Sequence, residues 1–588
     1  MTTFITSPVR LQQLLNDIQT GNIQLPDFQR SWVWNDERIC KLLTSVSSSH
    51  PIGSLMMLET GNPDVEFYSR PLKGIKFSNE QPKATQLILD GQQRLTSLFL
   101  TLLSEQVVET KDEQDKDVKR WYYIDIEKAI DPNIEREDED VLISVPENKK
   151  KTSNFGKNII LDLSTSELEY KNKMFPLNKI FKHYEWERKY YKFWKDDEKT
   201  FKEFDEFNSK IIEIIKAYQI PIITLTKYTP KEAICQVFEN VNTGGVPLTV
   251  FELLTATFAS GEFQLREDWK KREKELKKHS VLENTKNTDF LQAVTLVKTY
   301  HLVKIEQKPS SISCKRKDIL KLNRSDYEDY ADKVMECFEK AAKLLKNEKI
   351  FYSRDLPYQT QPIALAAIYA ILGDLADNDD IKAKLLRWYW CGVFGKMYGS
   401  GTETRLAKDV PQVINWINGG NEPDTIQEAN FVASQIEELC TRNSAAYKGL
   451  LALISQYGCL DYVKNSTVEQ SIIDGASMEI HHIFPQKWAK GKGLLPKQYD
   501  CIVNKTHLTK PTNTKVGGHA PSKHINILQA SYIVSEEEMD ERLRTHLIEP
   551  SVFRTDDFET FFDKRKFALL GLIEKAMGKP VVYPSSQS

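Results

Sequence analysis

The chain has 588 residues, enough for about three to five domains or subdomains. Hydrophobic residues make up 40% and charged residues 28%, the balance of a globular protein with apolar cores. The 80 Lys+Arg against 83 Asp+Glu give a formal charge of -3, which excludes a uniformly basic, histone-like binder but not local basic patches.

No uncharged apolar run reaches the roughly 18 residues of a membrane span. The segment Met1-Thr2-Thr3-Phe4-Ile5-Thr6 lacks a basic region and an apolar run, so no secretory signal is expected. The eight cysteines are scattered without a CxxC pair, which argues against a disulfide framework or a zinc knuckle and for a reducing cytoplasm.

Ser7-Pro8 reads as a helix start, with Leu11, Leu14, Leu15 and Ile18 at helical spacing and Gly21 as the stop. Strand and loop follow to Trp34, and Ile39, Leu42, Leu43 and Val46 mark a second helix over 36–46. Residues 53–58, 85–89 and 121–126 read as short strands. Residues 131–157 carry an acidic cluster and then Lys149-Lys150-Lys151, and read as a solvated insertion. Charged and aromatic helix is expected over 185–218, a strand over 219–225 and a short helix over 230–242. Helix then follows helix to about residue 460, with no fixed-period repeat and a solvated helical face at 268–278. From about 470 two short apolar stretches flank a Gly/Lys loop. The reading is α+β and multidomain, divided as 1–260, 261–460 and 461–588.

Residues 85–105 (TQLILDGQQRLTSLFLTLLSE) run from an apolar strand through Asp90-Gly91 into a helix. Gly91 permits a tight turn. A helix beginning at Gln92 offers free N–H groups and a positive dipole end to an anion. Arg94 adds a planar cationic fork suited to phosphate. Asp90 could hold a metal, orient water or cap the helix. Gln29-Arg30 offers a second Gln-Arg pair, followed by Trp32 and Trp34, and Asn242-Thr243-Gly244-Gly245 a turn before another helix.

PDFQRSWVW, ILDGQQRLTSL and FENVNTGGVPLTVFELL, in this order, resemble the N-terminal domain of GmrSD-type modification-dependent (type IV) restriction enzymes over about residues 1–260. The resemblance implies a ParB/sulfiredoxin-like α/β fold with DGQQR as hallmark, and binding and hydrolysis of a nucleoside triphosphate (GTP, UTP, CTP or ATP). It also implies sensing of modified DNA. By resemblance Asp90, Gly91, Gln92, Gln93 and Arg94 line the nucleotide site with Gln29 and Arg30 nearby. Asn242, Thr243, Gly244 and Gly245 match the family's third motif.

Residues 478–488 (MEIHHIFPQKW) and 500–513 (DCIVNKTHLTKPTN) form a second constellation. Phosphodiester cleavage needs a base for water, a hard cation for the charge developing on phosphate, and rigid positioning. Adjacent strand residues face opposite ways, so one histidine of the pair His481-His482 can face a metal and the other a water only where the strand ends or twists. Ile483-Phe484-Pro485 fits such an end. Asn513, in the first turn of an expected helix, offers a hard amide oxygen. Asn504 could instead bond the loop backbone and hold His482 in place.

These residues resemble an HNH (ββα-metal, His-Me finger) nuclease, and more narrowly the C-terminal domain of the same GmrSD-type proteins. The resemblance implies His482 as general base, Asn504 as the middle Asn, and His481 and Asn513 on the metal side. His481 stands where an acidic residue is usual, with Glu479 two positions earlier; magnesium or manganese, or nickel, would be the cation. His507, His519 and His524 have no match. Eight lysines around the motif, at 487, 490, 492, 497, 505, 510, 515 and 523, fit phosphate contact.

Residues 387–409 mix Arg387, Tyr389, Lys396, Tyr398 and Arg405 with glycines; helix packing is favoured over a strand-binding lining there. The combined expectation is a sensor domain, a helical middle and a ββα-metal nuclease embedded in helices. It would cleave modified phage DNA in the cytoplasm, gated by nucleotide, as a monomer or a homo-oligomer. The alternatives are a nucleotide-binding regulatory protein with an inactive nuclease fold and a toxin-like nuclease indifferent to modification.

Overall fold

The structure, a computed structural model, describes residues 3–583 except 30, 63–64, 78–80, 135–140, 154–157, 196, 231–232, 235, 238–248, 260–262 and 308–310. It is mixed α+β and divides into two compact units, 1–264 and 265–588. The division expected at residue 460 falls inside the second unit.

The first unit is built on a six-stranded sheet of β1 (Phe4–Arg10), β2 (Ile23–Pro26), β3 (Leu55–Glu59), β4 (Ser69–Arg70), β5 (Gln86–Asp90) and β12 (Gln219–Leu225), in the order β1-β12-β3-β5-β2-β4. Ser7-Pro8 therefore lies in a strand and starts no helix. Pro8 pairs opposite Pro221 on the edge strand β1, where a missing N–H costs no ladder bond. Helix α1 (Leu11–Thr20) begins after it, buries Leu11, Leu14, Leu15 and Ile18, and ends at Gly21 with φ +83°. Helix α2 (Asp36–Ser47) is capped by Asn35 and buries Ile39, Leu42, Leu43 and Val46. Helix α3 (Gln92–Leu102) leaves β5 through Gly91.

A second sheet centres on β7 (Asp117–Asp125), which pairs with β6 (Val108–Lys111), β8 (Leu142–Pro146) and β11 (Met174–Pro176). The insertion expected to be solvated thus supplies a core strand. Val141, Leu142, Ile143 and Val145 are buried, because their apolar side chains reach the core behind β7. Only β9 (Lys150–Ser153) and β10 (Asn158–Asp162) form a peripheral hairpin, and the acidic cluster at 135–140 lies outside the described residues. Trp186, Tyr190, Phe204 and Phe207 from the 185–218 segment close the aromatic core. The short helix expected over 230–242 falls largely outside the described residues.

The second unit is helical around Gln361–Leu372, whose side chains are almost all buried, packed by Asn287–Tyr300, Arg324–Asn347 and Thr402–Ile417. Tyr389 and Tyr398 are core residues. The Tyr398 hydroxyl and Trp388 Nε1 both donate to buried Asp409, the latter at 3.0 Å. Arg387 pairs with Glu422 at 2.5 Å and Arg405 with Glu428 at 3.3 Å, so packing prevails in this region. The helix Phe558–Met577 returns from the C-terminal segment to pack on Asp379–Phe394 and Ala445–Tyr457. Residues Tyr462 to Phe561 also form a hydrophobic cluster of their own, around Phe484, Leu508, Ile525 and Phe553. Among the described residues no helix is long and apolar enough to cross a membrane, and the seven described cysteines are free.

Candidate functional site

The second constellation folds as a hairpin followed by a helix. β13 (Met478–His482) pairs antiparallel with β14 (Lys505–Thr509), and Lys510–Val516 follows as a helix. β13 ends at His482, so alternation sends the two histidines to opposite faces.

On one face His481 Nδ1 lies 2.8 Å from Asn513 Oδ1, and Asn513 Nδ2 donates to Glu479 Oε2 at 2.8 Å. An ionised carboxylate only accepts, which fixes the Asn513 amide and makes His481 Nδ1 the donor to its oxygen. His481 is buried, and burial lowers its pKa to about 4 against the raising hydrogen bond of Asn513, so the ring is neutral near pH 7. Neighbouring ligands of a cation with bonds of about 2.1 Å at right angles stand about 3 Å apart. The 2.8 Å contact of His481 Nδ1 with Asn513 Oδ1 is a hydrogen bond, and the two atoms could ligate a cation only after Nδ1 gives up its hydrogen. Among the described residues no three His, Cys, Asp or Glu side chains form a cage for a metal ion.

On the other face His482 Nε2 donates to Asp500 Oδ1 at 2.9 Å. Lys505 Nζ stands 3.0 Å from the same oxygen and Gln486 Nε2 3.3 Å. His482 Nδ1 is therefore the lone-pair nitrogen, in a ring that remains part-exposed. Burial lowers the His482 pKa and Lys505 adds to this, against the raising hydrogen bond and charge of Asp500. Burial works to raise the Asp500 pKa, but the His482 and Lys505 hydrogen bonds bring it below its ordinary value.

Asn504 touches none of these groups. It is fully buried, accepts from Phe484 N at 2.8 Å and donates to Phe484 O at 2.9 Å and Tyr499 O at 2.8 Å. All three bonds go to backbone, so Asn504 ties the end of β13 to the loop that carries Asp500. It is a positioning residue, the second of its two sequence readings. Two further supports had no signal in sequence. Buried Asp461 accepts from Thr509 N, Thr509 Oγ1 and Thr512 Oγ1 at 2.7–3.0 Å, which anchors the helix bearing Asn513. Fully buried Arg565 donates to the carbonyls of Ile502, Val503, Lys505 and His546. Asp500 opens the motif DCIVN, yet nothing in the sequence marked it as the partner of His482. Of the eight lysines, seven are exposed and Lys505 is buried against Asp500.

In the first unit the strand–turn–helix forms as read. Gly91 has φ +93°, and an added Cβ would stand 2.1 Å from Leu55 Cδ2, so only glycine fits. Gln29 Nε2 donates to Ile88 O at 2.6 Å and Leu89 O at 3.1 Å, while its buried Oε1 has no partner among the described residues. Gln93 Oε1 accepts from Val33 N at 2.9 Å, and Trp32 Nε1 donates to Ser97 Oγ at 3.0 Å. The PDFQRSWVW segment is thus latched onto Asp90–Arg94, with Gln92 buried at the start of α3. Asp90 does not cap α3; it pairs with Arg94 at 3.0 Å, and Arg94 NH1 donates to Ile52 O at 2.7 Å. The guanidinium that the sequence offered to phosphate is engaged inside the fold. Arg30 and Asn242, Thr243, Gly244 and Gly245 lie outside the described residues.

Residues 11–259 match the family model of the GmrSD restriction endonuclease N-terminal domain. The match covers less than half of the chain, and over those residues it supports a likeness to the GmrSD restriction endonuclease family. Over nearly its full length the chain is similar to the uncharacterized protein MJ0686 of Methanocaldococcus jannaschii, 27% identical over 583 residues covering 93% of each chain.

Proposed function

We propose that this chain is a modification-dependent DNA endonuclease whose second unit cuts by HNH-type hydrolysis and whose first unit, ParB/sulfiredoxin-like, binds and hydrolyses a nucleoside triphosphate that gates cutting. The observation that carries the reading is the end of β13, which holds a carboxylate-oriented histidine on one face and a neutral His–Asn pair on the other. His482 Nδ1 takes the proton of the water that attacks phosphorus, the bond to the leaving oxygen breaks, and Asp500 steadies the charged ring. His481 and Asn513 would hold a magnesium or manganese ion, which when bound supplies Lewis acidity toward the phosphate. The exposed lysines around the hairpin hold the DNA backbone. In the first unit the α3 N-terminus is the group offered to phosphates.

The test is digestion of modified and unmodified phage DNA with magnesium or manganese, with and without each triphosphate, by the wild type and His482→Ala. Cutting of modified DNA alone, lost about 10²–10⁴-fold in His482→Ala with triphosphate hydrolysis kept, is expected. Full cutting by a folded His482→Ala protein removes His482 from the chemistry. Equal cutting of unmodified DNA makes the protein a toxin-like nuclease instead.

A further inference from the structure

The far end of α3, away from the turn at Gly91, borders a cavity of 380 Å³ in the first unit. Its walls include Thr101 and Ser104 at the end of that helix, Trp121 and Tyr123 of β7, and Lys149 and Glu169. The volume lies in the range of about 300–1,000 Å³ that small-molecule sites occupy. None of the motif residues discussed above lines it.

The floor of the cavity is rich in acceptors. Glu169 is 5% exposed and gathers three donors. The Tyr123 hydroxyl at 2.8 Å and Lys149 Nζ at 3.1 Å donate to Oε1, and Trp186 Nε1 at 3.3 Å donates to Oε2. An ionised carboxylate has about four acceptor positions, so Oε2 keeps one open. The carbonyl end of α3 adds negative partial charge to the same wall. Trp121 and Tyr123 share a face of β7, and the Lys149 ammonium lies 5.3 Å from the first ring and 5.8 Å from the second. Trp121 remains part-exposed.

The rim carries the opposite charge. Lys182 and Lys189 are exposed there on either side of Glu185, and neither is held in an ion pair among the described residues. Lys179, also on the rim, is paired with Glu105 at 3.3 Å. A ligand that suits both parts presents N–H groups on a flat ring at one end and an anion at the other.

We propose that this cavity binds a nucleotide whose base carries an exocyclic amino group, cytosine or adenine. The amino group donates to Glu169, the ring lies against Trp121, and the phosphate meets Lys182 and Lys189. Thymine presents a carbonyl where cytosine presents the amino group, and a carbonyl facing a buried carboxylate is refused. The nucleotide comes either from DNA, turned out of the stack, or from solution. The proposal rests on the reading of DNA as the partner of this chain given above.

The test measures binding by the full chain, without divalent metal so that nothing is cut. Anisotropy of labelled duplexes with one unpaired cytidine or one unpaired thymidine is combined with calorimetry on dCMP and dTMP. Cytidine should be preferred about 10–100-fold. Trp121→Ala should weaken cytidine binding about 10–100-fold, the worth of one stacked base, and Glu169→Gln should bring the two bases close to parity. Lys182→Ala with Lys189→Ala changes only exposed side chains and covers the case in which the other variants do not fold. It should weaken both nucleotides alike and keep the preference, as loss of phosphate contacts does. Binding of dCMP that Trp121→Ala abolishes assigns a free nucleotide; a cytidine preference in the duplexes with no binding of dCMP assigns a nucleotide of DNA. No preference in either format overturns the proposal, as does a preference untouched by Trp121→Ala and Glu169→Gln, or unchanged affinity in the lysine double variant. Digestion of modified phage DNA separates the two readings. A wild type that prefers cytidine but cuts nothing loses the proposed function alone, whereas one that cuts modified DNA without any base preference keeps that function and loses the pocket.

Discussion

Replacing Asp500 by Asn tests the carboxylate–histidine pair while changing almost no volume. One carboxylate oxygen, Oδ1, serves His482 at 2.9 Å, Lys505 at 3.0 Å and Gln486 at 3.3 Å. The amide keeps an acceptor but loses the charge, and it leaves buried Lys505 without its counter-ion. Loss of a charge-assisted hydrogen bond is worth about 1.5–3 kcal/mol, so cleavage should fall about 10- to 150-fold. The pH profile gives an independent sign. Asp500 supplies the influences that raise the His482 pKa, against burial and Lys505, which lower it. Without the carboxylate the pKa drops further, and the acid limb of cleavage should move to lower pH. Triphosphate hydrolysis should not change, and Asp500→Asn added to His482→Ala should cost nothing more, because the two act as one unit. Rates from pH 5 to 8 on one modified duplex, with folding checked by circular dichroism, provide the assay. Wild-type cleavage by folded Asp500→Asn protein, or an acid limb moved to higher pH, refutes the pairing.

A neutral imidazole where a carboxylate is usual should weaken magnesium more than metals that accept nitrogen. Cleavage at equal low concentration should therefore be faster with manganese or nickel than with magnesium, and His481→Asp should shift the order toward magnesium; identical metal profiles would show that His481 is no ligand. Arg94→Ala should destabilise the first unit by about 1.5–3 kcal/mol in urea unfolding, since it breaks the bonds to Asp90 and Ile52 O. Unchanged triphosphate affinity and turnover in that variant would remove Arg94 from the nucleotide site. Burial lowers the pKa of His481 and His507 to about 4 and of His524 and His546 to about 3. The unfolded chain therefore takes up protons that the folded chain refuses. Stability is full above the unfolded value near 6.5 and is lost as pH falls below it, by up to about 1.4 kcal/mol per pH unit for each histidine. Urea midpoints of the second unit that stay flat from pH 7 to pH 5 would contradict this.

Local order was legible where one segment supplied its own pattern. The spacing of Leu11, Leu14, Leu15 and Ile18 gave α1, and Asp90-Gly91 gave the turn into α3. The pair His481-His482 before Ile483-Phe484-Pro485 gave a strand ending where two faces are needed. Ser7-Pro8 misled because a proline on a sheet edge looks like a helix start until its partner strand, more than two hundred residues later, is known. The 131–157 segment misled because its charges hide the four apolar residues that enter the core. Asp461, Asp500 and Arg565 were invisible for a common reason: each acts on residues well removed in the chain and leaves no periodic trace.

Arg565 gives the hairpin a place in time as well as in space. The carbonyls of Ile502, Val503 and Lys505, which frame the turn into β14, have their cation only once the helix Phe558–Met577 exists. A ribosome that has emitted both histidines has still not supplied the group that shapes their loop. The His481–His482 hairpin therefore gains this support last, after the first unit has been made. Under the proposed nuclease reading a cell gains from this order, since a chain ended early would carry the histidines without Arg565 behind their loop.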